Sequence, residues 1–176
     1  MRIGVTGSSG FLGSHLTKAL GQLPGAEVVI LPRTSSGDFP GRDKLRSFVR
    51  DLDLIYHVAD VNRGTDDEIL IGNIETTFNL VKAAKKTGKP SQRIVFASSS
   101  QVYKPVTQSG KVITEFHKAE PTTLFGVTKQ PQNILSGFQD STTLSCASPI
   151  SMVRVAGPNT IQSSLHSVIW WPTGKQ

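Results

Sequence analysis

Apolar residues follow two alternating patterns along this chain. Short continuous runs, Ile3-Gly4-Val5, Val28-Val29-Ile30-Leu31, Leu54-Ile55-Tyr56-His57-Val58-Ala59 and Ile94-Val95-Phe96-Ala97, have the character of strands buried on both faces. Between them apolar residues recur at helical spacing. Phe11, Leu12, Leu16, Ala19 and Leu20 form one such set, Leu45, Phe48 and Val49 a second, and Ile71, Ile74, Phe78, Val81 and Ala84 a third. The pattern predicts strands at Arg2–Thr6, Glu27–Leu31, Leu54–Ala59, Arg93–Ala97 and Ile150–Val155. It predicts helices at Phe11–Gln22, Asp43–Arg50, Glu68–Lys86 and Thr123–Phe138. Pro24-Gly25 marks a turn, and Gly88 ends the long helix. Strands alternate with helices and no hairpin signal lies between them. That order implies an α/β fold with a parallel sheet covered on both faces.

The chain of 176 residues is the size of one domain with a sizeable core. Its 37% hydrophobic and 18% charged residues are ordinary for a globular protein, and no apolar run approaches a membrane span. The single cysteine, Cys146, excludes an internal disulfide and reads as a buried structural thiol. With no charged-then-apolar leader before the first strand, the expected location is the cytoplasm. The formal charge is +6. Part of the excess, Lys82, Lys85, Lys86, Lys89 and Arg93, falls at and beyond a helix C-terminus, where the dipole favours cations. No basic–aromatic interleaving marks a nucleic-acid surface, so an anionic small molecule is the expected partner.

The segment Gly7-Ser8-Ser9-Gly10-Phe11-Leu12-Gly13 joins the first strand to the first helix. Strand, glycine turn and helix form the arrangement that holds a dinucleotide diphosphate. Gly7 allows the tight turn, Gly10 lets backbone approach the phosphates, and Gly13 lets the helix pack on the sheet. Ser9, Phe11 and Leu12 belong to the same cradle, and the helix N-terminus faces the anion. The spacing is G-x-x-G-x-x-G, and by itself a glycine-rich turn is a weak signal. Together with the element order it implies a Rossmann-like, doubly wound sheet.

Further motifs follow in order. Gly7 to His15 resembles a TGxxGFxGSH opening, and Tyr56-His57-Val58-Ala59 a strand end lying beside a cofactor. Asn73-Ile74 with Thr77, Asn79 and Leu80 resembles an NxxGTxNLLEAA helix, and Arg93 to Tyr103 a strand into SSxxVYG. Pro121 to Lys129 resembles PxxxYGxxK, and Met152 to Pro158 a strand ending in RxxNVYGP. The chain from Met1 to about Pro158 thus resembles the NAD-dependent epimerase/dehydratase family of extended short-chain dehydrogenases/reductases, which act on nucleotide sugars. The resemblance implies a dinucleotide-binding domain at residues 1–158. Residues 159–176 would be a tail, the remnant of a substrate lobe most of which is missing.

By that resemblance, catalysis uses a tyrosine to exchange a proton, a lysine four residues on to make the phenol acidic and bind the ribose, and a hydroxyl to orient substrate. Ser99 is the aligned hydroxyl and Lys129 the aligned lysine, but Phe125 occupies the tyrosine position and has no proton to exchange. Val58 and Ala59 would lie beside the cofactor. Arg33, two residues after the second strand, suits the 2′-phosphate of NADP; otherwise it is a solvated loop residue and the cofactor is NAD, with Asp38 as the alternative contact. Pro131 requires the surrounding helix to start late or kink. The span from Leu31 to Leu54 is short enough to cost a strand and its crossover helix. Tyr56, Tyr103, His15 and His57 read as structural, and His117 and His166 lack partners at metal-ligand spacing, so no metal is expected.

Three readings remain open from the sequence. One is an NAD(P)-dependent enzyme exchanging hydride at a carbon of a nucleotide-sugar-like substrate. The second is a dinucleotide-binding module without turnover, and the third a truncated, decayed family member. A homodimer through the two long helices is the expectation by analogy.

Overall fold

Four parallel strands, β1 (Arg2–Thr6), β2 (Glu27–Leu31), β3 (Leu54–His57) and β4 (Arg93–Phe96), make one sheet in the order β2–β1–β3–β4 in a computed structural model of the chain. The structure describes residues 1–105, 113 and 117–137, of residues 131–137 the helical backbone alone. Ile3 pairs with Val28 on one side and Leu54 on the other, and Leu54 in turn with Arg93. The first connection, through α1 (Phe11–Leu20), leads to one side of β1. The second, through α2 (Arg42–Val49), crosses back to the other side. This reversal at β1 makes the sheet doubly wound, and ligands of such sheets sit where the strand order reverses. Between β2 and β3 there is α2 and no strand, in keeping with the short span in sequence, so β2 is an edge among the described strands.

Alternation along β1 divides the core in two. Ile3 and Val5 face α1 and pack with Leu20, Leu16, Val28, Leu54 and Tyr56. On the other face α2 and α4 (Thr76–Thr87) enclose Leu45, Val49, Leu52, Ile55, Leu80, Val81, Ile94 and Phe96. Gly4 points to this second face. A Cβ there would strike the Leu52 side chain and lie 2.8 Å from the Phe48 ring, so α2 can cross β1 this closely only over a glycine.

The long helix begins as α3 (Asp66–Leu70), passes through a π-helical segment, Ile71–Glu75, and continues as α4. Thr65 and Glu68 close its start as a capping box. The expectation that Ile71, Ile74, Phe78, Val81 and Ala84 form one inward stripe is corrected in part. Val81 and Ala84 pack on the core, whereas Ile71, Ile74 and Phe78 are 58%, 37% and 48% exposed. The inward positions are Asn73, Thr77, Leu80, Val81 and Ala83. The π-helical turn holds more residues than the 3.6 the stripe assumed, so the period is broken at its first members. Phe11 and Leu12 of α1 are likewise exposed.

Helix α5 (Leu124–Gly137) carries Pro131 as its eighth residue and runs on beyond it. The expected strand Ile150–Val155, Cys146, His166 and residues 159–176 lie outside the described residues.

Candidate functional site

The C-terminal end of β1 opens directly into the glycine turn. Gly7 has φ +71°, the left-handed region, and a Cβ there would lie 2.6 Å from the Ala59 nitrogen. The turn therefore rests on the backbone that follows β3. Gly10 donates its N–H to the Gly7 carbonyl at 3.1 Å and serves as N-cap of α1, with extended backbone and no side-chain cap. Gly13 is buried, and a Cβ on it would run into the Gly7 carbonyl oxygen. α1 is thus pressed against the turn as closely as backbone allows. Its first turn holds no acidic residue, so its opening N–H groups, those of Phe11, Leu12 and Gly13, present the positive end of the helix to the space above the sheet. Phe11 and Leu12 contribute backbone there, and Ser9 is exposed on the turn.

His57 anchors the floor. It is fully buried, with Nδ1 2.7 Å from Thr6 Oγ1, Nε2 3.0 Å from Thr77 Oγ1 and the Phe96 ring edge-on at 5.6 Å. Burial, aided by the charge of Lys129, lowers its pKa from 6.5 to about 3, so it stays neutral. Thr6 Oγ1 also accepts the Ala59 N–H at 3.3 Å. This relay fixes Val58 and Ala59, both half-buried, alongside the glycine turn.

A second group of side chains gathers beyond β4. Ser99 Oγ accepts the Gln101 N–H at 3.2 Å and caps a short 3-10 turn, Ser100–Val102. The start of α5 is sewn to this turn: Thr123 donates to Gln101 Oε1 at 2.7 Å, and a Cβ on Gly126 would run into the Gln101 carbonyl oxygen. Phe125 and Lys129 therefore belong to the same corner as Ser99. Lys129 is 2% exposed. Its Nζ lies 3.2 Å from Asp60 Oδ2, 3.3 Å from the Ala97 carbonyl oxygen and 5.2 Å from the Phe125 ring centroid. Burial lowers its pKa, and Asp60 opposes that shift. The Ser98 hydroxyl is buried in this corner without a hydrogen-bond partner among the described residues.

Asn73, in the π-helical segment, joins the two groups. Its Oδ1 accepts the Val61 N–H at 2.8 Å, and its Nδ2 donates to the Val61 carbonyl at 2.8 Å and to Thr128 Oγ1 at 3.0 Å. One side chain thus holds the loop after Asp60 against the helix that bears Lys129.

Arg33 and Asp38 share a small exposed loop after β2. Arg33 Nη1 donates to the Gly37 carbonyl at 2.7 Å, while the Asp38 carboxylate accepts from Ser36. The structure brings Gly7, Ser9, Gly10, Phe11, Leu12 and Gly13 together with Val58 and Ala59, and joins the turn that Ser99 caps to the helix bearing Phe125 and Lys129. Sequence reasoning passed over Asp60 and Asn73 as site residues. Asp60 had a signal, a carboxylate directly after the His57-Val58-Ala59 strand end. Asn73 opens the helix motif that runs to Leu80, but only its burial and three bonds reveal what it does. Among the described residues no group of three metal-ligating side chains gathers.

Comparison with known proteins places these features. The model of the NAD dependent epimerase/dehydratase family matches residues 3–166. A UDP-2-acetamido-2,6-beta-L-arabino-hexul-4-ose reductase of Pseudomonas aeruginosa is 37% identical over 103 residues, which are 57% of this chain and 26% of that protein. The structure of RMD from Pseudomonas aeruginosa complexed with NADPH superposes with TM-score 0.69 at 25% identity, over 81% of this chain and 51% of that one. UDP-glucuronic acid 4-epimerase from Bacillus cereus in complex with NAD shares the fold, with TM-score 0.65 at 22% identity over 81% and 55%. The chain spans about half the length of these structures and about a quarter of the reductase.

Proposed function

The chain belongs to the NAD dependent epimerase/dehydratase family, and on that premise we propose that it binds NAD or NADP in the glycine cradle and serves hydride exchange at a carbon of a nucleotide-sugar-like substrate. The observation that carries the reading is the contact between Gly13 and Gly7. Any side chain at Gly13 would collide with the turn, and the opening of α1 is left without a side-chain cap or carboxylate. That arrangement costs helix stability unless an anion completes it. A pyrophosphate would sit on the N–H groups of Phe11, Leu12 and Gly13, with Ser9 at its edge and the backbone of Val58 and Ala59 beside the nucleoside. The dinucleotide supplies the hydride acceptor or donor. Lys129 serves the ribose and Ser99 orients the substrate oxygen. Arg33, hydrogen-bonded to the Gly37 carbonyl of its own exposed loop, suits a 2′-phosphate, which favours NADP.

A second reading is favoured by one observation. The residue stacked beside Lys129 is Phe125, whose ring offers the ammonium its π face and no exchangeable proton. A chain that binds the dinucleotide without turnover fits this corner as well as a working enzyme does. The exposed apolar residues Ile71, Ile74 and Phe78 on the long helix, with Val127 on α5, suit burial in a homodimer through those two helices.

The test is a titration of the chain with NADPH and NADH, followed by nicotinamide fluorescence, with Gly10→Asp as control. Saturable binding that the added carboxylate abolishes supports the cradle. Absence of binding of either nucleotide at high micromolar protein removes both readings.

A further inference from the structure

Lys129 and Asp60 divide one task unequally. The ammonium is 2% exposed and surrounded: Asp60 Oδ2 at 3.2 Å, the Ala97 carbonyl at 3.3 Å, and the Phe125 ring at 5.2 Å. The Asp60 side chain is 35% exposed, and its Oδ2 lies against the lysine. A molecule entering this corner therefore meets the carboxylate before it meets the ammonium. A buried ion pair with a carboxylate turned outward accepts hydrogen bonds; it does not attract phosphate, because its net charge is near zero. A neutral hydroxyl is the group it recognises.

On the functional reading above, we propose that Asp60 is the residue through which Lys129 meets the ligand: its carboxylate, held in place by the buried ammonium, accepts a hydrogen bond from a hydroxyl of the dinucleotide's ribose. Phe125 leaves the corner without the phenol that would otherwise stand next to Lys129, and Asp60, from the loop after β3, supplies a polar oxygen beside the same ammonium. Asp60 is also the counter-ion of Lys129. An ammonium this buried is retained only with a partner, and burial alone works against its charge. Among the described residues, the titratable groups facing Lys129 are Asp60, in the loop after β3, and His57 within β3, and His57 is neutral. Ala97 from β4 and Phe125 from α5 offer it a carbonyl and a ring.

Three measurements on the full chain test this. NADH and NADPH are titrated into wild type, Asp60→Asn and Asp60→Glu from pH 6 to pH 9, with thermal melts confirming that each variant is folded. Asp60→Asn is expected to weaken binding by about tenfold or more, the loss of one charge-assisted hydrogen bond. The loss should grow toward high pH as Lys129 gives up its proton, and Asp60→Glu should restore most of the affinity. Equal affinity of wild type and Asp60→Asn across that range overturns the proposal. In the ligand-free chain, the Lys129 13Cε titration should move to lower pH in Asp60→Asn; an unmoved midpoint shows that the pair does not hold the charge and overturns the counter-ion role. In wild type, which needs no substitution, the Asp60 carboxyl 13C signal should shift on saturation with NADH, and a silent signal also overturns it. Failure of wild type to bind any dinucleotide is seen before a variant is made, and it removes the functional reading together with this one.

Discussion

Asn73 Nδ2 lies 3.0 Å from Thr128 Oγ1, a bond from the π-helical turn of one long helix to the core face of the other. Thr128 donates its own hydroxyl hydrogen bond to the Phe125 carbonyl at 2.7 Å. The placement of α5, and with it Phe125 and Lys129, thus depends on an amide that also holds both backbone groups of Val61. Asn73→Ala leaves the Val61 N–H and carbonyl and the Thr128 hydroxyl to find other partners. It should cost about 2–4 kcal/mol, read as a lower urea midpoint with an unchanged slope. A loss of under about 0.5 kcal/mol would show that solvent already satisfies these groups.

His57 makes stability depend on pH in a window of its own. Its folded pKa of about 3 lies below the 6.5 of an unfolded histidine. The unfolded chain therefore binds the extra proton first. Stability is full above pH 6.5 and declines as pH falls toward about 3. Urea midpoints at pH 7.5, 6 and 4.5 should decrease in that order, and His57→Gln should flatten the change between pH 6.5 and 4.5. Asp53 and Glu68 have lowered pKa values as well, from Lys89 and the Arg2 N–H for the first and the Thr65 backbone and hydroxyl for the second. They act only at more acid pH, where carboxylates titrate. An equally steep profile in His57→Gln would refute the assignment.

Phe125→Tyr places a phenol on a ring whose centre is 5.2 Å from a buried ammonium. The phenol should titrate below the ordinary value of about 10, followed by ultraviolet difference absorbance. If the corner is otherwise complete, the same variant should show dinucleotide-dependent turnover that exceeds wild type on a nucleotide-sugar substrate. A phenol titrating at or above 10 would mean that Asp60 leaves no net positive field at that ring.

Gly13→Ala tests the cradle from the packing side. The methyl has only the Gly7 carbonyl to occupy. α1 must lift from the turn, at about 1–3 kcal/mol of overpacking, and dinucleotide binding should vanish together with the lost stability. Gly25→Ala, at a positive-φ turn with open space around the site, serves as the comparison: it strains backbone but should leave binding intact.

Phe78→Asp addresses the exposed stripe. Phe78 is 48% exposed and carries Lys82 over its ring at 5.6 Å. If the two long helices join copies of this chain, sedimentation velocity should show a dimer for wild type and a monomer for the variant. A wild-type monomer at high micromolar concentration would remove the proposed interface.

The strands were readable because Val28-Val29-Ile30-Leu31 and Ile94-Val95-Phe96 are continuous apolar runs, and such runs have few other uses in a short α/β chain. The glycine turn was readable because its three glycines carry three separate steric demands, of which the positive φ of Gly7 and the contact at Gly13 are the structural counterparts. The outward turn of Ile71, Ile74 and Phe78 was not readable. Periodicity assumes a uniform helix, and one π-helical segment shifts the faces without any change in composition. Asp60 and Lys129 are far apart in sequence, and no spacing rule connects a loop carboxylate to a lysine on a later helix. Their pairing follows only from the sheet order, which sets the ends of β3 and β4 side by side.

The short crossover between β2 and β3 also bears on the order of assembly. Because a single eight-residue helix, α2, separates these strands, β1, β2 and β3 close over small sequence distances, where loop entropy is least costly. Gly7, Gly10, Gly13 and Ala59 all lie some 70 residues or more ahead of Lys129 in the chain. The glycine turn can therefore be finished on a nascent chain before the segment bearing Lys129 has been synthesised. On the proposed reading, a dinucleotide present during translation would meet the glycine turn first and the Lys129 corner last, and so could act as a template on which α5 docks.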